Sequence, residues 1–507
     1  MRWTLTLVVP LLGALLAGCT ANLPAKDLAN LSTENQLLAG THQTWPDPQN
    51  FPHPLYKWAT LANPPNATLG ALPKWWRPIN GTELPSHITG LDHIVQVGGN
   101  VTAGAGIAIF GSIAVVPEDG QFAHFVDISD PKHPVQLGQI ESSGRGAAII
   151  PFPDGRLVTA IATSPGFDVI DFTDPTHPVM LNQTTVPVNG GHKLGIVPGT
   201  PILYNAGSQG GEPPLPGGQR DPIYGPGRCN VDISQCTGYT EIYNLTDPAH
   251  PTLVENFQNG LSCHHIFFWN APDGSKQRAI CAGIQYTQLW DTADPLHPKV
   301  IVSLPVHSGM PGTPSSMLSI EMFSHSAGIN LKGNILYVGD ESGGGGVPPG
   351  CMASVDTPAG AVSIPVGATW FYDISSETSP KLLGYYSPAV GAQTYVNGQP
   401  TVPPPPNPSP RNITGYPSRI IGSNTHSTSC TTHHGRIVPD KEGRDLLAMS
   451  YYGDGVVLLD FSGIAVGKLP TVVDSYADNS NTWETWYDSG YLFTGDLNRG
   501  MDVLSFK

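Results

Sequence analysis

Six histidines stand in four short segments of this chain, each at the start of a predicted strand. They are His192 in GGHKLG, His264 and His265 in SCHHIFF, His325 in FSHSAGI, and His433 and His434 in CTTHHGRI. Neutral imidazole is the commonest metal ligand in proteins, and three or four converging rings suit copper, zinc, iron or nickel. The pattern predicts a transition-metal site, copper or zinc first. The alternative is that these rings are hydrogen-bonded polar residues that fill a wet channel.

Charged residues near the same predicted strand ends can support such a site. Arg145 and Glu484 occupy the equivalent positions in two other repeats. Acids in neighbouring connections reach the same face, and they are Asp340, Glu341, Asp454 and Asp496. Carboxylates there can act as ligands, as groups that orient a ligand, or as general bases. No single catalytic residue is assigned from the sequence.

The elements that must position these residues come from a repeated strand-turn-strand segment. Its first copy reads FVDISDPKHP at residues 125–134. The Asp-Pro-x-His-Pro turn recurs at 174–178, 247–251 and 294–298, and weaker copies of the strand lie at 371–375, 459–462 and 501–505. Apolar residues before the first Asp suit a buried strand. Asp-Pro ends that strand, because proline presets φ and cannot donate a hydrogen bond.

The spacing of the copies predicts the fold class. The key polar position of each copy falls at residues 127, 171, 244, 291, 373, 460 and 502. The short spacings of 44, 47 and 42 residues match one four-stranded propeller blade, and the longer ones match a blade plus an insertion. We therefore predict an all-β, seven-bladed β-propeller. The last repeat lacks its fourth strand, so residues 90–98 should pair with the C-terminal strand and close the ring.

The innermost strand of each blade lines the central channel, so the six histidines are expected at the channel mouth. Four long insertions share that face, and they are 208–239, 305–322, 342–367 and 390–431. Long loops on one side of a rigid scaffold usually carry function. Strand alternation is expected to send one ring of each His-His pair to the channel and the other into the blade. The turn histidines, His133, His177, His250 and His297, should lie on the far face and play no part in binding.

Two families resemble parts of the chain. The phrases VDISDPKHPVQLGQI and IDFTDPTHPVMLNQT resemble the LVIVD-repeat β-propellers, over about residues 100–507. That resemblance implies the fold but no single activity. NTHSTSCTTHHGRIV and the VDISDP-type repeats are similar, over short stretches, to the selenium-binding protein/methanethiol oxidase propellers. That similarity implies a copper-dependent oxidoreductase, although the N-terminal cysteine motif of that family is absent here.

Three functions fit these observations at the sequence level, and whether the protein is an enzyme stays open. The first is a binding propeller whose inserted face takes a small molecule, a glycan or a protein. The second is the copper-dependent oxidoreductase. The third is a propeller polysaccharide lyase, with Arg145, His192, Tyr451 and Tyr452 as candidates for proton abstraction. The net charge of −16 is unfavourable for the polyanionic substrate of a lyase.

Composition and charge limit the classes of partner that the protein can bind. Only 13% of the 507 residues are charged, and 58 Gly and 51 Pro indicate a turn-rich chain, as an all-β protein needs. The acidic balance and the lack of a Lys/Arg run exclude a nucleic-acid surface, which needs a basic footprint. The chain is expected to be monomeric.

The first residues resemble an export signal. Residues 1–19 contain Arg2, an apolar run over 5–16 and Ala17-Gly18-Cys19. LAGC resembles a bacterial lipobox, so Cys19 is the predicted lipid attachment site and the protein is expected at the cell envelope. Secretion after ordinary cleavage is the alternative, kept open by seven N-x-Ser/Thr sequons. Residues 20–88 are interpreted as a linker and a segment that packs on the propeller of 89–507. No second apolar run is long enough to span a membrane.

Six cysteines remain when Cys19 is set aside, and an even number in an exported chain favours disulfides. The predicted pairs are Cys229–Cys236, Cys263–Cys281 and Cys351–Cys430. The alternative is that Cys430, beside His426, His433 and His434, is a metal ligand.

Overall fold

Short runs of β-branched and aromatic residues form the strands, and Asp-Pro or glycine turns end them. The structure is a computed structural model that describes residues 81–98, 100–118, 120–152, 155–163, 166–184, 191–198, 200–207, 240–257, 263–271, 275–283, 286–305, 324–341, 352–357, 360–365, 367–388, 391–396, 399–401, 431–478 and 480–507. Over these residues the protein is all-β, with one short 3-10 helix, Ile464–Val466. No helix in the described part is long and apolar enough to cross a membrane.

Seven antiparallel sheets form the blades of the predicted propeller. The chain opens with β1 (Leu91–Gln96), which belongs to the last blade. The first blade contains β2 (Ala108–Phe110), β3 (Ile113–Pro117), β4 (Phe122–Asp127) and β5 (Val135–Glu141). The second contains β6 (Gly146–Pro151), β7 (Leu157–Ala162), β8 (Phe167–Asp171) and β9 (Val179–Thr184).

The third and fourth blades keep the same strand order. The third contains β10 (Gly191–Ile196), β11 (Ile202–Gly207), β12 (Thr240–Asn244) and β13 (Thr252–Phe257). The fourth contains β14 (His265–Asn270), β15 (Gln277–Gly283), β16 (Tyr286–Asp291) and β17 (Lys299–Pro305). The tyrosine hydroxyl of Tyr204 donates to the carbonyl of Pro295 at 2.6 Å, which ties the third blade to a turn of the fourth.

The fifth blade is larger than the others. It contains β18 (Ser324–Ile329) and β19 (Ile335–Asp340), and its insertion forms a separate hairpin of β20 (Met352–Thr357) and β21 (Gly360–Pro365). The sheet continues through β22 (Thr369–Asp373), β23 (Lys381–Ser387), β24 (Gly391–Val396) and β25 (Gln399–Pro400). The start of the segment 390–431 therefore extends the outer edge of this blade, a feature that the sequence analysis did not predict.

The sixth and seventh blades complete the ring. The sixth contains β26 (Gly435–Val438), β27 (Leu446–Ser450), β28 (Val456–Asp460) and β29 (Thr471–Tyr476). The seventh contains β30 (Thr482–Asp488), β31 (Tyr491–Asp496) and β32 (Gly500–Phe506), with β1 as its outermost strand. Leu91 pairs with Phe506 and Gln96 with Asp502. The predicted closure by residues 90–98 is confirmed.

The repeated turns have one local structure. The carboxylates of Asp127, Asp171 and Asp373 each accept the backbone N–H two residues later, at 2.8 Å. The four turn histidines are exposed, and each pairs with the Asp three residues before it. These contacts stabilise the turn itself.

Cys263 and Cys281 form a disulfide between the start of the fourth blade and its second strand, as predicted. The signal at 1–19, the lipidation site Cys19, most of 20–88, and Cys229, Cys236, Cys351 and Cys430 lie outside the described residues. The insertion 208–239 and most of 305–322 also lie outside them.

Candidate metal centre

The starts of four consecutive inner strands bring the six histidines together. His192 is the second residue of β10, His265 opens β14, His325 is the second residue of β18, and His433 and His434 precede β26. We call His192, His264, His265, His325, His433 and His434 the six-histidine cluster. Their part as metal ligands remains a prediction, but their convergence is observed.

Local backbone irregularities occur at two of these histidines and at Trp483. The register of β10 with β11 shifts at His192, that of β18 with β19 shifts at His325, and that of β30 with β31 shifts at Trp483. Each shift leaves one extra residue on the inner strand, which is the geometry of a β-bulge. Bulges redirect a side chain and occur often beside functional sites.

The prediction that strand alternation would separate each His-His pair was wrong. His264 and His265 belong to one group of convergent nitrogens, and His433 and His434 belong to another. The reason is that His264, His433 and His434 precede their strands, where the period-2 alternation does not apply.

The rings lie in contact with one another. Ring centroids are 3.9 Å apart for His192 and His264, 4.3 Å for His265 and His325, and 4.1 Å for His325 and His433. The Nε2 atoms of His265 and His434 are 3.1 Å apart. Two ligands of a tetrahedral ion with bonds of about 2.0–2.1 Å lie about 3.3 Å apart. The Nε2 atoms of the cluster are thus spaced about as closely as metal ligands are.

Burial keeps the cluster neutral. His264, His265, His325, His433 and His434 are 0–5% exposed. Burial lowers the pKa of every ring in the cluster, and neighbouring rings and cations lower these pKa values further. The pKa of His192 falls to about 3, through burial first and then through Arg145 and Lys193. Neutral rings carry the lone pairs that a metal ion requires.

Backbone carbonyls orient two of the rings. The Nδ1 atom of His265 donates to the carbonyl of His325, and the Nδ1 atom of His433 donates to the carbonyl of Trp483, each at 2.6 Å. A neutral ring that donates through Nδ1 presents the lone pair of Nε2. Such a second hydrogen bond commonly fixes the orientation of a metal-ligating histidine. Nε2 of His433 and Nδ1 of His434 are buried and have no hydrogen-bond partner among the described residues.

Glu341 and Tyr452 adjoin one end of the cluster. One carboxylate oxygen of Glu341 is 3.3 Å from Nε2 of His325, and the other is 4.0 Å from Nε2 of His433. Tyr452 donates its hydroxyl to Glu341. Burial raises the pKa of Glu341 to about 8, with Asp340 adding to the rise and Tyr452 and Arg145 opposing it. Glu341, a predicted supporting residue, is therefore placed beside the rings.

A buried ion group joins residues of the third, sixth and seventh blades. Lys193 Nζ lies 2.5 Å from one carboxylate oxygen of Glu484, and Arg436 lies 3.0 Å from the other. The backbone N–H of Ile107 also donates to Glu484, at 3.1 Å. Glu484, a candidate supporting residue, is therefore held by partners from the first, third and sixth blades.

The sequence analysis missed Lys193 and Arg436, although they stand in the segments GGHKLG and CTTHHGRI, because it considered only the histidines of these segments. The signal that would have found them is a charged residue in an apolar inner strand, where an unpaired charge would be very costly.

The remaining predicted supporting residues have contacts of their own. Asp340 accepts the backbone N–H of Gly367. Asp496 binds the backbone N–H of Asn481 and the hydroxyl of Thr482. Burial raises the pKa of Asp454 to about 6 and that of Asp496 to about 6. The Arg145 guanidinium carbon lies 5.7 Å from the centre of the Trp483 ring. His426 and Cys430 lie outside the described residues.

Comparisons with known proteins do not assign the chain to a family. No family model matches it. No curated protein matches it. Similar solved structures include a functionally unknown protein from Desulfotomaculum acetoxidans DSM 771, with 12% identity, 73% of this chain and 84% of that chain covered, and a TM-score of 0.39. The β-propeller domain of Cps50 (Swd1) from Myceliophteria thermophila has 8% identity, coverage of 82% and 100%, and a TM-score of 0.43. The computationally designed Ika8 protein has 9% identity, coverage of 82% and 99%, and a TM-score of 0.40. At these scores the seven blades are established by the strand order of this chain, and the similar structures carry no argument about function.

Proposed function

We propose that this protein is an exported β-propeller that binds a transition metal, copper or zinc, in the six-histidine cluster and holds a small ligand at that metal. One observation carries the proposal. Six neutral imidazoles from four blades converge, with donor nitrogens in each group within 4.8 Å of one another. A nitrogen-rich donor set of this kind suits copper and zinc.

Hydrogen-bond accounting favours this proposal over a set of histidines that merely fills the channel. A filler ring would be expected to satisfy its ring nitrogens, because an unsatisfied buried polar group costs about 1–3 kcal/mol. His433 and His434 each keep one buried nitrogen without a hydrogen-bond partner among the described residues. An ion supplies the partner that these nitrogens lack.

The chain's own groups define what a bound ion would work with. Copper would supply one-electron chemistry, and zinc would supply Lewis acidity. Glu341 and Tyr452 hold a proton next to the rings, since Tyr452 donates to a carboxyl group whose pKa is raised to about 8. Such a group can give or take a proton near neutral pH.

A copper-dependent oxidoreductase of the methanethiol-oxidase type is the second candidate. The resemblance of NTHSTSCTTHHGRIV supports it, and the buried Glu341–Tyr452 pair beside the rings favours it. The lyase has less support, because the hydroxyl of Tyr451 is bonded to Thr369 at 2.6 Å. The ligand is proposed to be a small molecule that enters at the face of the inserted loops, with a glycan or a protein as the alternatives.

Export to the cell envelope is part of the proposal. The resemblance of residues 1–19 to an export signal with a lipobox supports it, as does the Cys263–Cys281 disulfide, because disulfides persist in oxidising compartments. The LVIVD-repeat resemblance implies the propeller fold but no single activity. Fractionation of cells that express the full chain would test the location.

Metal content tests the function directly. Purified full-length protein should contain stoichiometric copper or zinc by elemental analysis, and His192→Ala/His325→Ala should lose most of it. His133→Ala/His177→Ala removes two exposed turn histidines and is the matched control, which should retain the metal. Equal metal content in the first variant and the wild type, with both folded by circular dichroism, would refute the site.

A further inference from the structure

The six-histidine cluster has more donors than one ion can use. A four-coordinate ion accepts four ligands, and catalytic zinc sites usually take only three from the protein. Six histidines converge here, and their nitrogens form two groups that share His325, namely His192, His264, His265 and His325, and His325, His433 and His434. His192 and His264 occur in the first group only, whereas His433 and His434 occur in the second only. The cluster is therefore elongated across the four blades.

The two ends divide by blade. His192 and His264, with His265, come from the third and fourth blades. His433 and His434, with His325, come from the fifth and sixth. Each set of three lies within a group whose nitrogens are all within 4.8 Å of one another, so each set can converge on its own ion.

We propose that the cluster holds two metal ions, one bound by His192, His264 and His265 and the other by His325, His433 and His434. This inference rests on the proposed metal-binding function and deepens it. The Nε2 atoms of His265 and His434 connect the two sets, since they are only 3.1 Å apart. Three histidines for each ion leave a coordination position open for a ligand, and an open position is the mark of a catalytic rather than a structural metal site.

The acids and hydrogen bonds around the rings agree with this division. The His265 ring is oriented by the carbonyl of His325, and the His433 ring by that of Trp483, so each set contains one ring with a fixed Nε2. Glu341 adjoins the second set only, through His325 and His433. Its carboxylate is placed to balance the charge of the second ion. Lys193 is held by Glu484 and stays out of the ligand set.

Metal stoichiometry tests the proposal. The full chain, stripped of metal, reloaded with Cu²⁺ and passed through a chelating column, should retain two copper ions per chain. His192→Gln/His264→Gln and His433→Gln/His434→Gln should each retain one. Glutamine preserves a polar side chain of similar size, so these variants are expected to fold. His133→Gln/His250→Gln should retain two, which shows that exposed histidines do not contribute to the count.

Electron paramagnetic resonance supplies a second readout. Two neighbouring Cu²⁺ ions couple, so the wild type should show a signal well below its total copper. Each double variant should instead show an isolated Cu²⁺ signal that accounts for all its copper. One ion per wild-type chain with full signal would overturn the two-ion inference and leave the metal-binding function standing. No retained copper or zinc in the wild type would overturn both.

Discussion

At the scale of single residues, Tyr452 and Glu341 form the most constrained pair near the cluster. Tyr452 has a φ of 45°, in the left-handed region that non-glycine residues seldom adopt. Such a conformation costs on the order of 1–3 kcal/mol and persists where the surroundings impose it. Its backbone exchanges two hydrogen bonds with Thr482, and its hydroxyl donates to Glu341. These contacts hold a proton donor against a buried acid at the edge of the six-histidine cluster.

Replacing Glu341 should change stability and metal affinity in opposite directions. Burial raises the pKa of Glu341 from 4.5 to about 8 in the folded protein. Below pH 4.5 the carboxyl is protonated in both the folded and the unfolded chain. As pH rises from 4.5 towards 8, the unfolded chain ionises while the folded chain stays protonated, so the free energy of unfolding falls. Metal-free Glu341→Gln should therefore gain melting temperature relative to wild type between pH 5 and pH 8.

The same variant should bind metal about 10–100-fold more weakly, because it removes a carboxylate that supports the ligands. Thermal melts of chelated protein and competition with a metal-binding dye measure the two effects. Glu141→Gln, at an exposed acid, is the matched control and should change neither. A Glu341→Gln variant with unchanged metal affinity would show that Glu341 has no part in the site.

At the scale of strands, the ends of the inner strands position the centre. His192, His325 and Trp483 occupy β-bulges, and His264, His433 and His434 precede their strands. A bulge places an extra side chain out of the regular alternation, so it can direct a ring inward without breaking the rest of the blade. The six-histidine cluster is formed by residues at or just before the starts of the inner strands. The later residues of these strands pack between neighbouring blades.

The repeat spacing made the blades and their closure predictable. Residues 127 and 171 are one blade apart, and the missing last strand pointed directly to residues 90–98. The convergence of the histidine segments followed from the same repeat spacing, which places each segment at the start of the innermost strand of a blade. The orientation of each ring did not follow, because a bulge depends on pairing with the neighbouring strand. The pairing of Lys193 and Arg436 with Glu484 did not follow either, since it depends on how three blades meet in the folded ring.

Closure of the ring should depend on the buried side of β1. Leu91 is 6% exposed and packs with Leu504 and Phe506, whereas its neighbour Asp92 is exposed and pairs with Lys507 at 3.0 Å. Leu91→Asp would bury a carboxylate in the last blade and should lower the melting temperature clearly, because unpaired buried charge is among the costliest changes.

Asp92→Ala serves as the matched control for β1. It breaks an exposed ion pair, which is worth about 0–1 kcal/mol. Thermal melts and gel filtration compare the two variants. If the Leu91→Asp protein has the melting temperature and the gel-filtration volume of the wild type, β1 does not close the propeller in solution.

At the scale of the whole molecule, the channel is where the blades are joined. The six-histidine cluster connects the third to the sixth blade, and the Lys193–Glu484–Arg436 group connects the third, sixth and seventh. The seventh blade is in turn closed by β1. Ions bound by the cluster would cross-link four blades that otherwise hold together by side-chain packing. Metal binding should therefore stabilise the entire propeller and not only its mouth.

Metal should raise the melting temperature at neutral pH and lose this effect in acid. An ion that binds only the folded chain stabilises it by about 2.7 kcal/mol when the free ion is 100 times its dissociation constant. The buried histidines have pKa values lowered from 6.5, the value of the unfolded chain, and that of His192 falls to about 3. Below pH 6.5 the unfolded chain binds more protons than the folded one. The contribution of these neutral histidines to the free energy of unfolding is thus fully present above pH 6.5 and declines as pH falls.

Acid also releases metal, because ligands must be deprotonated to bind it. The difference in melting temperature between metal-loaded and chelated protein should be large at pH 7.5 and should shrink steeply by pH 5. His192→Gln/His433→Gln should show a smaller difference at pH 7.5 and a flatter pH dependence of the chelated form. His133→Gln/His177→Gln, on the far face, should behave as wild type. Equal melting temperatures with and without metal at pH 7.5 would mean that the cluster does not join the blades through an ion.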